Sequence, residues 1–154
     1  MNDGDPAVVR ERALRLLARR EHTRSELARK LRQRGESDGM DGVLDALERD
    51  GLLSDARFAE AYVRMRVGRG YGPLRIQAEL MERGVDPGQA ETSLRAGESD
   101  WAGRCEAVAR KHFSEPAPDV RERARRVRFL QRRGFASADV KTALAVIEQR
   151  EHEQ

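Results

Sequence analysis

The 154-residue sequence predicts an all-α protein: a tandem array of three three-helix repeats, elongated and curved, with no β-sheet. Three observations carry that prediction. The first is a repeat, with KLRQRG ending at Gly35, ELMERG at Gly84 and FLQRRG at Gly134, 49 and 50 residues apart. A fixed period of that length marks stacked supersecondary units. Leu31, Leu80 and Leu130 each stand four residues before their glycine, and Ala90 and Leu94 match Val140 and Leu144 at six and ten residues after it. In the first unit Val43 and Leu47 take those places if two residues are inserted in ESDGMDG. The second observation is composition: 37% charged, 5% aromatic and a mean hydropathy of −0.78. So little apolar material suits helices that each bury a narrow stripe. The third is that no alternating apolar run of the kind a strand needs occurs.

Capping residues and breakers place the helices. The units span 10–54, 55–98 and 99–149, between flexible tails at 1–9 and 150–154. In the first unit Ala13, Leu14 and Leu17 mark a helix that His22 and Thr23 interrupt. Thr23 and Glu26 form a capping box, hydroxyl and carboxylate each satisfying an orphan amide. Leu27 and Leu31 carry the second helix to Gly35, a left-handed stop, and Val43, Leu44 and Leu47 carry the third to Gly51. In the second unit Ser54 or Asp55 caps a helix bearing Phe58, Tyr62 and Met65. Pro73 suits a first helical turn, where its missing amide costs nothing, and Asp86, Pro87 and Gln89 open the next helix by the same logic. In the last unit Trp101, Cys105 and Val108 mark the first helix, SEPAP breaks it, residues 119–133 form the second, and Ser137 caps the last.

Charge is distributed unevenly although the net value is only +3. Of the 30 basic residues 27 are Arg, a residue suited to forked contacts with phosphate and carboxylate. Residues 64–75 hold Arg64, Arg66, Arg69 and Arg75 with no acid, and residues 121–133 hold seven arginines against Glu122. Arg121, Arg125, Arg128 and Arg132 step by four, three and four, so they share one helix face beside a buried stripe of Val120, Ala124 and Val127. Charge runs are usually solvated faces laced by weak ion pairs. Residues 24–34 hold five basic residues against Glu26 alone, and this recurrence in all three units points instead to a surface that attracts nucleic acid or an acidic protein. The segment GRGYGP reads as a structural turn that positions Arg64, Arg66, Arg69 and Arg75 around a helix start. Free amides and the helix dipole there add attraction for a phosphate or carboxylate. Tyr71 either joins that contact or covers the helix junction.

Chemistry-bearing patterns are missing. His22, His112 and His152 lack the spacing of a helical metal site, Cys105 fits a small core residue, and no GxxxxGK[ST] loop occurs. The expectation is a non-enzyme with no catalytic residue, cofactor or metal. No stretch approaches the roughly 20 apolar residues of a membrane span, and one cysteine makes no internal disulfide. A reducing cytoplasm, and no membrane partner, are therefore expected.

Two functional readings follow. TRSELARKLRQRG followed by VLDALERDGLLSD resembles a helix-turn-helix that acts directly on DNA. Against it, the helix at 43–50 is acidic, and a helix with Phe58 and Tyr62 stands where a β wing belongs. The second reading rests on longer stretches. REHTRSELARKL, then DGLLSDARFAEAYVRMRVGRGYGPLRIQAELMERGV, then a Trp-led helix and a closing RFLQRRGF resemble the RecX family of bacterial regulatory proteins. The resemblance runs in unbroken order from residue 10 to 148, and the GYGP turn with its following RI..EL...GV is its most specific part. It implies tandem three-helix units that bind the RecA recombinase, mainly as its filament on single-stranded DNA. It implies suppression of ATP hydrolysis, strand exchange and co-protease activity, and so a role in tempering recombinational repair and the SOS response. It brings no catalytic residues, and a monomer is the expected state. The expected contact residues are Arg64, Arg66, Arg69, Tyr71, Arg75, Arg121, Arg125, Arg128 and Arg132.

Overall fold

The structure, a computed structural model, describes residues 4–35 and 39–149. Nine helices and no strand occur among the described residues. The first unit holds α1 (Pro6–Arg19), α2 (Arg24–Arg32) and α3 (Met40–Arg49). The second holds α4 (Asp55–Gly68), α5 (Pro73–Glu82) and α6 (Pro87–Gly97). The third holds α7 (Trp101–His112), α8 (Val120–Arg132) and α9 (Ser137–Gln149). The expected tail at 1–9 is shorter than the sequence suggests. Asp5 accepts the Ala7 amide, Pro6 opens α1, and Val9 is fully buried. The tail at 150–154 and residues 36–38, where the repeat needs its insertion, lie outside the described residues.

Short polar side chains set the helix starts. Thr23, Ser54, Asp86, Asp100 and Asp119 each accept a first-turn amide, as Asp5 does, and such a cap stabilises by about 1 kcal/mol. Ser137 is the first helical residue of α9 rather than its cap. Each unit buries its own core. Leu31, Leu80 and Leu130 are fully buried at the same place in each, and the pairs Val43/Leu47, Ala90/Leu94 and Val140/Leu144 line the same cores. A buried leucine contributes about 2 kcal/mol, so the repeat seen in sequence is the repeat of these cores. Helix pairs in close contact all fall within one unit, the first helix packing mainly on the third. Trp101 packs against both the second and third cores.

The stripe expected on α8 is misplaced. Val120 is 76% exposed, while Arg126 and Leu130 are the buried positions. Val120 stands at the first helical position, ahead of the part of α8 that packs. Arg126 can be buried because its guanidinium is answered: Nε donates to Glu122 at 3.2 Å, Nη1 to the Glu115 carbonyl at 2.7 Å, and Phe113 lies against it.

Separate cores leave the question of what holds the units together. The same contact does so twice. The turn after the second helix of one unit presses on the start of the second helix of the unit before. At the first joint the Thr23 hydroxyl donates to the Arg83 carbonyl at 2.6 Å, and Gly84 abuts Ser25. The Arg24 amide donates to Asp55 at 2.8 Å, and Arg57 pairs with Glu21. At the second joint the Gly72 amide donates to the Arg133 carbonyl at 2.7 Å and the Leu74 amide to Gly134 at 3.0 Å. A Cβ on Gly72 would sit 2.5 Å from the Gly134 carbonyl carbon, and one on Gly134 would strike Arg75. Gly35 also has a positive φ, as Gly84 and Gly134 do, but nothing lies within 4 Å of its Cβ position.

Candidate functional site

Between α4 and α5, Arg69, Gly70, Tyr71 and Gly72 form one side of the second joint. The Arg133 Nη1 donates back to the Arg69 carbonyl at 3.1 Å. The Tyr71 ring sits among three guanidiniums, with Arg66 at 3.7 Å, Arg75 at 4.5 Å and Arg133 at 5.0 Å from its centroid. Arg66 grips Glu79 with both forks, Nε at 2.8 Å and Nη2 at 2.7 Å. The Tyr62 hydroxyl (3.0 Å) and Arg75 Nε (3.3 Å) donate to the same carboxylate. Burial pushes the Glu79 carboxyl up, but these hydrogen bonds outweigh it and hold its pKa below the usual carboxylate range. Arg75 Nη1 also donates to the Arg132 carbonyl at 3.2 Å, so the two basic stretches found in the sequence meet here.

These contacts correct one expectation. At the start of α5 the amides of Gly72 and Leu74 are not open to an anion, because carbonyls of Arg133 and Gly134 occupy them. Nor are all four arginines of 64–75 unanswered, since Glu79 reaches back from α5 to Arg66 and Arg75. Arg64 and Arg69 are exposed and have no carboxylate partner among the described residues. On α8, Arg125 clasps Glu122 at 2.8 and 2.7 Å, and that bond first, then Arg126, holds the Glu122 carboxyl at about 2. Arg121, Arg128 and Arg132 remain exposed without a carboxylate, although Arg132 Nε approaches the Arg128 carbonyl at 3.4 Å.

Beside each joint lies a cleft, and the repeat makes the two equivalent. The first, about 400 Å³, is lined by Arg20, Phe58, Ala61, Tyr62, Met65 and Arg83, with Glu21. The second, about 310 Å³, runs between the end of α4 and α7 and includes Arg69, Arg104, Ala107, Val108, Lys111 and Arg133. Phe58, Ala61, Tyr62 and Met65 each precede their counterparts Arg104, Ala107, Val108 and Lys111 by 46 residues. Arg20 and Arg83 likewise correspond to Arg69 and Arg133. The first cleft is apolar and aromatic, with Phe58 and Tyr62 stacked at 5.7 Å. The second is cationic, with His112 at its edge and no carboxylate in its lining. Arg104 and Lys111 escape notice in the sequence because they are spread along α7 among other residue types. Only the register of the repeat against α4 picks them out.

Neither titratable nucleophile forms a site. Cys105 is fully buried and burial pushes its thiol up to about 12, so it stays protonated. Buried His22 lies 3.0 Å from the Arg20 carbonyl through Nδ1 and 2.9 Å from Lys30 Nζ through Nε2. Those partners require a neutral ring with the proton on Nδ1, and burial above all pushes its pKa down. No cluster of three metal-ligating side chains occurs among the described residues, and no helix there is long and apolar enough to cross a membrane.

This arrangement has relatives. Family models for the first, second and third three-helix domains of RecX match residues 10–40, 54–94 and 98–144. The Regulatory protein RecX of Halorhodospira halophila is 50% identical over 143 residues, covering 92% of this chain and 89% of its own. That of Pseudomonas entomophila is 51% identical over 133 residues, covering 85% and 86%. The crystal structure of RecX from Lactobacillus salivarius superposes with a TM-score of 0.81 at 22% identity, over 93% of this chain and 96% of that one. A second RecX crystal structure gives 0.80 over 90% and 72%. With its helix order, its three cores and all three domain models matched in sequence, the chain belongs to the RecX family of regulatory proteins.

Proposed function

We propose that this chain binds the RecA filament on single-stranded DNA and suppresses its ATP hydrolysis, strand exchange and co-protease activity. It thereby tempers recombinational repair and the SOS response. The observation that carries this reading is membership of the RecX family over three consecutive domains. The geometry supports it in physical terms. Three units joined in series present Arg64 and Arg69 from the second, and Arg121, Arg128 and Arg132 from the third, without neutralising carboxylates among the described residues. Many modest contacts spread over successive protomers add through effective concentration. Inhibition is by occupancy, for the chain offers neither a nucleotide loop nor an activated nucleophile among the described residues. The helix-turn-helix alternative is weaker, because α3 is acidic and turns Asp45 and Glu48 onto Arg24, and because α4 stands where a β wing belongs.

Fluorescence anisotropy at near-physiological salt tests the proposal, with naked and RecA-coated single-stranded DNA compared. The coated strand should bind more tightly, since a net charge of +3 and few aromatic residues favour neither strong polyanion binding nor base stacking. Equal affinity for both would identify a general DNA-binding protein instead.

A further inference from the structure

The two equivalent clefts differ in chemistry, and the repeat makes the difference informative. Cores tolerate little change between units: Ala59 and Cys105, or Val63 and Ala109, are small and fully buried at matching positions. At the cleft-lining positions of the same two helices, buried Phe58 and exposed Met65 of α4 give way to Arg104 and Lys111 of α7. Folding does not demand the charges, because the first cleft stands without them. They bring a desolvation and repulsion cost that a neutral lining avoids.

We infer that the cleft at the second joint is a phosphate-binding site for a nucleic-acid backbone, with Lys111 and Arg69 as its principal ligands. Neither cationic head has a carboxylate partner among the described residues, whereas Arg104 is held by Glu98 and Arg133 by the Arg69 carbonyl and the rings of Tyr71 and Phe129. The site therefore has two free cations over a fixed floor of two engaged ones, and a phosphodiester supplies the missing anion. Beside them His112 is pushed below the ordinary histidine value, by burial first and then by Arg133 and Lys111. The Tyr71 ring is crowded by three guanidiniums and Phe135 is buried, so the contact is to backbone and independent of sequence. In the matching apolar cleft at the first joint Arg20 pairs with Glu26, Arg83 lies over the Tyr62 ring, and Phe58 and Met65 replace the other cations. That contrast assigns nucleic acid to the second joint.

That the nucleic acid is the strand inside a RecA filament rests on the function proposed for the whole chain, but the test does not. Binding of fluorescein-labelled oligo(dT) is measured by anisotropy across a salt series, without RecA. Arg69→Ala/Lys111→Met, which gives Lys111 its counterpart's side chain, should weaken binding about tenfold at low salt. It should also flatten the plot of log affinity against log salt by roughly 0.7 for each phosphate no longer neutralised. The charge-conserving Arg69→Lys/Lys111→Arg chain should bind as the parent does. Unchanged affinity and slope in the first variant would overturn the assignment, and so would an equal loss in the second. A parent chain that ignores RecA-coated DNA would sink the filament reading while leaving this one standing.

Discussion

The two joints share one topology and differ in what holds them. The first relies on side chains: a threonine hydroxyl on a carbonyl, an aspartate on an amide, and Arg57 on Glu21. The second is main chain against main chain, two amides donating to two carbonyls across a glycine pair that leaves no room for a Cβ. Its arginines and Tyr71 close over the outside. The difference accounts for the turn in GRGYGP, where Gly72 allows the close approach, Gly70 takes a positive φ and Pro73 opens α5. Arg66 and Arg75 are there to cover the joint. Binding falls to the cations the joint does not use.

Glycine substitution separates these roles most sharply. Gly134→Ala places a Cβ at φ +101° and against the Arg75 backbone nitrogen, and should destabilise by about 3 kcal/mol. Gly35→Ala meets the same left-handed strain at φ +86° but open space, and should cost only about 1 kcal/mol. Urea unfolding of both chains gives the comparison. Equal losses would mean that the close approach at the second joint contributes nothing.

At the first joint Thr23→Val removes the cap oxygen and the bond to the Arg83 carbonyl together. The expected loss is about 2 kcal/mol, with Thr23→Ser close to the parent. A Ser variant as damaged as Val would show that the methyl, not the hydroxyl, matters.

A smaller effect is tied to pH. His22 titrates below the ordinary value of 6.5 because burial disfavours its charged form. Above that value both folded and unfolded chains carry a neutral ring. As pH falls through it the unfolded chain takes up the proton first, so stability is lost toward acid pH. Melting temperatures measured from pH 7.5 down to about pH 5 should therefore decline, and decline less in His22→Gln. Identical slopes would place the acid loss on other groups. Smallest of all, Arg64→Glu should leave the melting temperature within the spread of ordinary surface changes, as expected of an exposed cation without a partner.

Much of this is legible in the sequence because it is local. The three leucines four residues before a glycine, the Thr23 capping box and the Pro73 helix start all depend on neighbours in the chain, and each is found where spacing puts it. What spacing cannot reveal is long-range. Glu79 lies outside the acid-free stretch yet answers two of its arginines. The α8 stripe is misread from sequence because Arg126 looks like a surface residue until Glu115 and Phe113 are folded against it. The glycines after each second helix read as helix stops. That two of them are also contact points between units appears only once the units stack.

The most direct measurement follows RecA's DNA-dependent ATP hydrolysis against increasing amounts of this chain and of Arg121→Glu/Arg128→Glu. Both replaced residues are exposed and have no carboxylate partner among the described residues, so the variant should keep its helicity and melting temperature. The parent should suppress hydrolysis while turning over no ATP itself, and the variant should lose most of that suppression. A parent without effect, or a variant that suppresses as well as the parent, would contradict the account.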